Sequence, residues 1–234
     1  MTRSKILMLK YLISAIVILV FAEKSVSAQD YRIGITLSPS ITWFGSNTAE
    51  VTNKGARPGI DLTVKLERNF SGNFAYTGGV SFTSSSGRLQ SAAATGFLFP
   101  DRTVNVGPGE AIIYRIRYLS IPFGLVGRTN EHNQISYHGE IGIDPAVVVS
   151  GRADIPSLDI KNGRAMKELN RFNIGYHLNA GADYSVNDNV QLTIGLGFEN
   201  YFFDVTRDRL DQVRDHIGQR FIRFIFGVSF LGNN

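Results

Sequence analysis

Strict alternation of apolar and polar residues is the feature that most constrains this chain. In residues 60–67, Ile60, Leu62, Val64 and Leu66 alternate with polar or charged side chains. A period of two places all the apolar side chains on one face of a β-strand, whereas a helix would scatter them around its axis. Seven further segments show the same pattern and begin near Tyr31, Phe74, Ala111, Tyr137, Phe172, Val190 and Ile222. The sequence therefore predicts an all-β fold with eight strands.

The links between these segments alternate between long and short. Short links rich in turn-forming residues occupy 69–73, 129–134 and 186–189, and long links occupy 45–58, 84–110, 151–170 and 204–220. Outer-membrane barrels have short periplasmic turns and longer outer loops. A chain whose first strand starts in the periplasm has a long first link, as this one does. The pattern predicts an eight-stranded antiparallel up-and-down transmembrane β-barrel.

The N-terminus has the pattern of a secretory signal peptide. A basic start is followed by an apolar run at residues 11–22 and by Ala28 at a suitable cleavage position. This run is too short to cross a bilayer, which takes about 20 apolar residues. We therefore predict export, with residues 1–28 removed and residues 29–234 forming the outer-membrane barrel domain.

Composition argues against several classes of function. The predicted signal peptide carries a net charge of +3, so the chain's net charge of +4 falls to +1 without it, which does not suggest nucleic-acid binding. The absence of cysteine excludes disulfides and thiolate metal sites. The sequence has no metal-ligand spacing, glycine-rich phosphate loop or nucleophile elbow. We expect no cofactor, no metal site and no nucleic-acid partner.

The polar faces of the strands distinguish two kinds of barrel. A soluble ligand-binding barrel has an apolar interior and a densely charged exterior, whereas a membrane barrel has the reverse. Here the polar faces mix Gly, Ser, Thr and Asn with a few charges of both signs, which favours a narrow polar interior. We expect these charges to form a paired interior cluster, comprising Asp61, Lys65, Glu67, His138, Glu140, His177, Asp183, Glu199 and Arg223. A soluble barrel with an apolar ligand cavity is the alternative.

Aromatic residues near the predicted strand ends support the membrane interpretation. Interfacial girdles of aromatic side chains flank the apolar band of outer-membrane barrels. The candidates for contact with outer-membrane lipids are Phe70, Phe74, Tyr76, Tyr137, Tyr184, Phe202 and Phe230.

The fourth segment contains Tyr118, Leu119, Ile121 and Pro122 in the pattern Y-L-x-I-P. This pattern resembles that of the PorT-like outer-membrane β-barrel proteins of the Bacteroidetes group. The resemblance implies an integral outer-membrane protein, and the namesake of the family is associated with a protein-secretion apparatus. Pro122 lacks an N–H group and fits a bulge or the end of a pairing ladder. The sequence therefore does not determine the strand register around Pro122.

Only one pair of residues in the sequence suggests a catalytic function. His138 and Glu140 lie two residues apart and hence on one face of a strand, but Ser136 and Ser185 do not form an evident nucleophile site with them. An interior hydrogen-bonded pair is the favoured interpretation, so we predict no enzyme and no catalytic residue. A lipid-modifying enzyme is the alternative. A narrow pore is weaker, because eight strands enclose little more than side chains.

The outer loops are the remaining candidates for function. Loop 84–110 contains Phe97, Leu98 and Phe99, and loop 204–220 is rich in charge. Within the second loop, Leu210, Val213 and Ile217 would share one side of a short amphipathic helix. Either loop could bind a protein partner; the alternative is a solvated loop that protects the rim.

Overall fold

The computed structural model describes residues 31–46, 51–53, 55–207 and 217–232. Eight long strands form the barrel wall: β1 (Tyr31–Ser46), β2 (Arg57–Ser71), β3 (Phe74–Ser91), β4 (Ala111–Ser120 and Phe123–Arg128), β5 (Ile135–Ile155), β6 (Phe172–Asn187), β7 (Val190–Tyr201) and β8 (Ile217–Leu231). The predicted signal peptide, residues 1–28, lies outside the described residues. Within the described residues, no helix has the length and apolarity that a membrane crossing requires.

The eight strands close into a ring. Each pairs antiparallel with its neighbours in sequence, and β8 returns to pair with β1 from Arg32↔Leu231 to Ser46↔Ile217. Closure leaves no free edge, so every wall strand has a hydrogen-bonding neighbour on both sides. The predicted eight-stranded antiparallel up-and-down barrel is confirmed. We call its two rims the short-turn end and the long-loop end.

The outward face of the wall is a band of exposed apolar side chains. Ile194, Ile141 and Tyr137 are 60%, 58% and 61% exposed, and the outward residues of every other wall strand are similar. The seven aromatic residues predicted for the girdles are all exposed. Charged and polar side chains face inward at the same level, for example Asp61 and His177. This is the arrangement of a membrane barrel, and it is opposite to that of the soluble alternative.

Several strands extend further at the long-loop end than the sequence suggests. β3 continues to Ser91, β5 continues to Ile155 and β8 begins at Ile217, so parts of predicted loops 84–110, 151–170 and 204–220 are strand. Beyond the apolar band the alternation inverts, with apolar side chains inward and polar ones outward. The sequence pattern did not predict these extensions, because it identifies strands by apolar residues on the outward face, and here that face is polar.

β4 shows the inversion within one strand. Tyr114, Ile116 and Tyr118 are buried inside, whereas Leu119 and Ile121 are exposed outside. Side-chain direction nevertheless continues unchanged through Pro122, because the pairing with β3 keeps one register from Ser81↔Ser120 to Gly78↔Phe123. The irregularity expected near Pro122 lies instead on β5, where the register with β4 shifts between Val148 and Ser150.

The long links carry short elements of their own. The β3–β4 link forms a hairpin of Thr95–Leu98 and Thr103–Val106, and Val51–Asn53 pairs with the end of β3. A 3₁₀ turn at Pro156–Leu158 leads into a strand at Ile160–Arg164 that pairs with β5. Residues 208–216 lie outside the described residues, including Leu210 and Val213 of the predicted amphipathic helix, whereas Ile217 is part of β8.

Candidate functional site

The barrel interior is the candidate site, and its charged groups lie at three levels. At the level of the short-turn end, Arg128 on β4 contacts Glu67 at 2.6 Å and Asp183 at 3.2 Å. Arg32 lies 3.9 Å from Glu67 and 3.7 Å from Asp183. The Nδ1 atom of His138 lies 3.0 Å from the same Asp183. Two arginines and one histidine thus surround two carboxylates.

The middle level is centred on Glu140. Lys65 Nζ lies 2.8 Å from Glu140 and 3.7 Å from Glu67, which connects this level to the first. Asn179 donates to Glu140 at 3.0 Å, and the His177 ring lies 3.5 Å from it. The other ring nitrogen of His177 lies 2.8 Å from Asp144. Each oxygen of Glu140 therefore has a polar partner.

The third level is formed around Arg223 on β8. Its guanidinium group contacts Asp61 at 3.0 Å and also contacts Glu199. Thr83 donates to the same oxygen of Asp61 at 2.6 Å. β2 contributes one charged side chain to each level, because Glu67, Lys65 and Asp61 all occupy inward positions of one strand.

The structure places all nine residues of the predicted cluster in this interior. Three further members were not included in it: Arg32, Arg128 and Asp144. Arg32 and Asp144 lie on predicted polar faces. Arg128 could have been found by extending the alternation of β4 past Val126 by two residues.

In the interior, the carboxylates outnumber the lysine and arginine cations by two. Four cations, Arg32, Lys65, Arg128 and Arg223, meet six carboxylates, Asp61, Glu67, Glu140, Asp144, Asp183 and Glu199. The two histidines each contact one or more of these carboxylates. Burying an ion is tolerated only when it has partners, and here each ion has at least one.

Above the charged levels, the interior is filled by an apolar plug. This term denotes the buried cluster that includes Phe44, Phe97, Phe99, Tyr114, Tyr118, Tyr201, Phe221 and Leu169. Phe97 and Phe99 come from the β3–β4 hairpin, so this loop folds into the barrel mouth. Phe97 is 1% exposed, and its ring centroid lies 6.0 Å from that of Tyr114. These two side chains are therefore packed inside the mouth and are not exposed at the surface of loop 84–110, while partner binding by this loop stays a prediction.

A hydrogen-bonded chain separates the plug from the charged levels. Tyr118 donates to the side-chain oxygen of Gln219 at 2.7 Å, and Gln219 donates to Ser85 at 2.9 Å. Both Tyr118 and Gln219 are fully buried. Tyr118 therefore belongs to the plug through its ring and to the polar interior through its hydroxyl.

Little free space remains inside. A cavity of about 60 Å³ lies between the middle and third levels. A larger one of about 540 Å³ lies at the short-turn end, where Arg32 and Arg128 form its floor and turn residues such as Asn73 and Asn130 form its rim. Among the described residues, the plug fills the opposite end, and the larger cavity opens to the short-turn end.

The residues of the enzyme alternative do not form a catalytic unit. His138 is bonded to Asp183, whereas Glu140 is bonded to Lys65 and Asn179. Ser185 donates to Glu131 at the short-turn rim. Across the described part of the chain, no group of three or more His, Asp or Glu side chains is arranged to hold a metal ion.

Comparisons with known proteins agree with the geometry. The family model described as outer membrane protein beta-barrel domain matches residues 27–214. No curated protein matches the sequence. The solved structure of Neisserial surface protein A is similar, with a TM-score of 0.50, 12% identity and coverage of 89% of this chain and 99% of that chain.

Two further solved structures are similar over the same share of the chain. The outer membrane protein OprG from Pseudomonas aeruginosa has a TM-score of 0.49 and 8% identity, with 89% of this chain and 99% of that chain covered. The outer membrane protease OmpT from Escherichia coli has a TM-score of 0.39 and 10% identity, with the same coverage. Identities this low concern the fold and say nothing about activity. On its closed eight-stranded ring and the family match over most of its length, this chain belongs to the outer membrane protein β-barrel domain family.

Proposed function

We propose that this protein is a non-conducting, non-enzymatic outer-membrane barrel that serves as an interaction scaffold. The observation that carries the proposal is the filled interior. The apolar plug fills one end and three levels of ion pairs occupy much of the remaining interior, which argues against a continuous water path between the two rims. A site for chemistry on lipids would also need its reactive groups at the membrane surface, whereas His138 and Glu140 are buried in the lumen.

The long-loop end supplies a rigid surface for such a partner. Glu168 of the β5–β6 link accepts a hydrogen bond from the Leu98 amide of the hairpin at 2.6 Å. Asn170 of the same link donates to the carbonyls of Asp204 and Thr206 at 2.9 Å. These contacts join three of the long links into one cap. A groove of about 610 Å³ lies on it between the hairpin tip, with Asp101 and Arg102, and the segment 158–164.

Conductance across a planar bilayer tests the closed interior. We expect the refolded wild-type barrel to pass no steady current. A variant lacking hairpin residues 94–107 would remove Phe97 and Phe99 and serves as the control, because it opens the mouth. It should show brief, small openings limited by the ion-pair levels. Steady wild-type channels would contradict the proposal and favour a pore.

Partner binding is tested at the groove. A photo-crosslinking amino acid at Arg102 or Leu158 should give one discrete adduct in intact cells, and the same group at Glu131 of the short-turn rim serves as control. Substituting Leu158→Asp, with the crosslinker at Arg102, should remove the adduct. An adduct that survives this change, or that forms equally at Glu131, would exclude the groove as the binding surface.

The finer proposal is a role in protein secretion, which rests on the resemblance of Tyr118, Leu119, Ile121 and Pro122 to the PorT-like pattern. A strain without the protein should then lose part of its secreted proteins while its outer membrane stays intact. An unchanged secreted fraction would contradict this role. The lipid-enzyme alternative would require that His138→Ala abolish a change in membrane lipid composition while the barrel still folds.

A further inference from the structure

A group of outward-facing arginines lies on the barrel wall just beyond the apolar band. Arg115 and Arg117 are exposed on β4, Arg152 faces outward on β5, and Arg164 is exposed on the short strand beside β5. We call these four residues the arginine patch. In the sheet register, Arg115 lies opposite Arg152, and Arg152 lies opposite Arg164. Three like charges therefore form one row across three neighbouring strands.

Acidic side chains neutralise only a small part of the patch. Asp154 contacts Arg115 at 2.5 Å, and Arg152 donates to the carbonyl of Asn162 at 3.0 Å. In the described part of the chain, no carboxylate forms an ion pair with Arg117, Arg152 or Arg164. Like charges directly opposite each other in a sheet repel. The patch therefore keeps an excess of positive charge that a bound anion would balance.

The height of the patch identifies the kind of anion. Leu119 is the exposed apolar residue of β4 nearest to the patch, and Arg117 precedes it by two residues in the sequence. With about 3.3 Å per residue and a strand tilt near 40°, Arg117 lies about 5 Å and Arg115 about 10 Å beyond Leu119. A bilayer of about 40–45 Å has a hydrocarbon core of about 30 Å, so each headgroup layer is roughly 5–7.5 Å deep. The backbone of Arg117 therefore lies within the headgroup layer. The backbone of Arg115, and of Arg152 opposite it, lies a few ångströms above this layer, a distance that the long arginine side chain can span to reach a phosphate group.

We propose that the arginine patch binds the phosphate groups of an anionic lipid in the outer leaflet of the outer membrane. Arginine suits this role because its planar guanidinium group binds phosphate through two parallel hydrogen bonds. The apolar side chains directly below, including Leu119, Ile121 and Val149, would contact the acyl chains of the same lipid. The site thus combines a headgroup contact and an acyl-chain contact on one wall of the barrel.

Lipid binding to the purified, refolded barrel in neutral detergent tests this assignment. The probe is diphosphoryl lipid A, and its dephosphorylated form is the matched control lipid. The test variant is Arg115→Gln, Arg117→Gln and Arg152→Gln combined. Surface cations contribute about a factor of five each to binding of anionic lipid, so we expect a loss of about a hundredfold for three.

A second triple variant controls for total charge. It carries Lys167→Gln, Arg207→Gln and Arg220→Gln, which remove three exposed cations from the same end of the barrel but outside both the patch and the groove. This variant should keep its affinity within about threefold of wild type. Both variants should retain the gel shift between unboiled and boiled samples, which shows that the barrel is folded.

Three results would overturn the proposal. Equal binding of the dephosphorylated lipid would mean that phosphate is not recognised. An equal loss in the control variant would mean that only total charge matters. Displacement of the lipid by millimolar inorganic phosphate, with matching protection of the wild type against heat, would identify a free anion rather than a membrane lipid as the ligand.

Discussion

The two halves of the barrel interior differ in chemistry although the same strands form both. The half near the short-turn end holds six carboxylates, four cations and two histidines in contact with one another. The half near the long-loop end holds an apolar plug of aromatic and aliphatic side chains. Outside the wall the order is reversed, with an apolar band around the charged half and polar residues around the plug.

The difference follows from what surrounds each half. Lipid around the lower wall takes up the apolar side chains, and only polar or charged residues remain to fill the lumen. Above the hydrocarbon core of the bilayer, lipid headgroups and water surround the wall, so the apolar side chains turn inward as they do in a soluble protein. The two regions should therefore respond to substitution by different rules, and this expectation can be tested in order of effect.

The largest effect is expected from breaking one ion pair in the charged half. Arg128→Met leaves Glu67 and Asp183 without their shortest contact to a cation and should destabilise the barrel by about 3–5 kcal/mol. Urea unfolding in detergent, followed by the fluorescence of Trp43, measures this change. A loss below 1 kcal/mol would show that Arg32 and His138 suffice, and that the charged half tolerates loss of one cation.

A substitution in the plug should reduce the stability of the hairpin by about the same free energy but should leave the stability of the barrel wall unchanged. Phe97→Ala removes a fully buried ring, and such changes cost about 3–5 kcal/mol when a cavity remains. Because Phe97 belongs to a hairpin outside the wall, we expect local opening of the hairpin with little change in the urea midpoint. Limited proteolysis near Pro100 and hydrogen exchange of the hairpin amides measure it. A matching shift of the global midpoint would show that plug and wall unfold together.

The boundary between the halves should give an intermediate effect. Tyr118→Phe keeps the ring in the plug but leaves the buried oxygen of Gln219 without its donor, at a cost of about 1–3 kcal/mol. The double variant with Gln219→Leu should recover part of this loss, because both partners are then apolar. If the single variant is as stable as wild type, the hydroxyl does not connect the two halves.

The smallest effect is expected outside the wall. Arg115→Met breaks the pair with Asp154, which is partly exposed, and exposed pairs contribute about 0.2–1 kcal/mol. Without lipid, removing one charge from the row with Arg152 and Arg164 offsets part of this loss. The same urea titration compares it directly with Arg128→Met. A cost as large as that of Arg128→Met would contradict the distinction between buried and exposed pairs in this barrel.

Much of the fold could be predicted because the alternation of apolar and polar residues shows directly which face of each strand contacts lipid. Ile60 to Glu67 needed no tertiary information: in a strand that faces lipid on one side, the side-chain period alone assigns each face. The charged half followed for the same reason. The plug could not be predicted in this way, since the inward face of the fourth strand carries Tyr114, Ile116 and Tyr118 at this end and polar residues nearer the short-turn end. In the sequence, Phe97 and Phe99 suggested a functional loop, whereas in the structure their side chains pack inside the barrel mouth.

The sequence by itself determined the strand number, the closed antiparallel ring and most of the polar side chains that face inward within the apolar band, because these follow from a local period of two. Only the tertiary structure decided which ions meet, that Arg128 lies between Glu67 and Asp183, and that a hairpin distant in sequence closes the mouth. It also brought Arg115, Arg152 and Arg164 into one row. Such contacts depend on the stagger between strands and on loop conformation, which no single strand encodes.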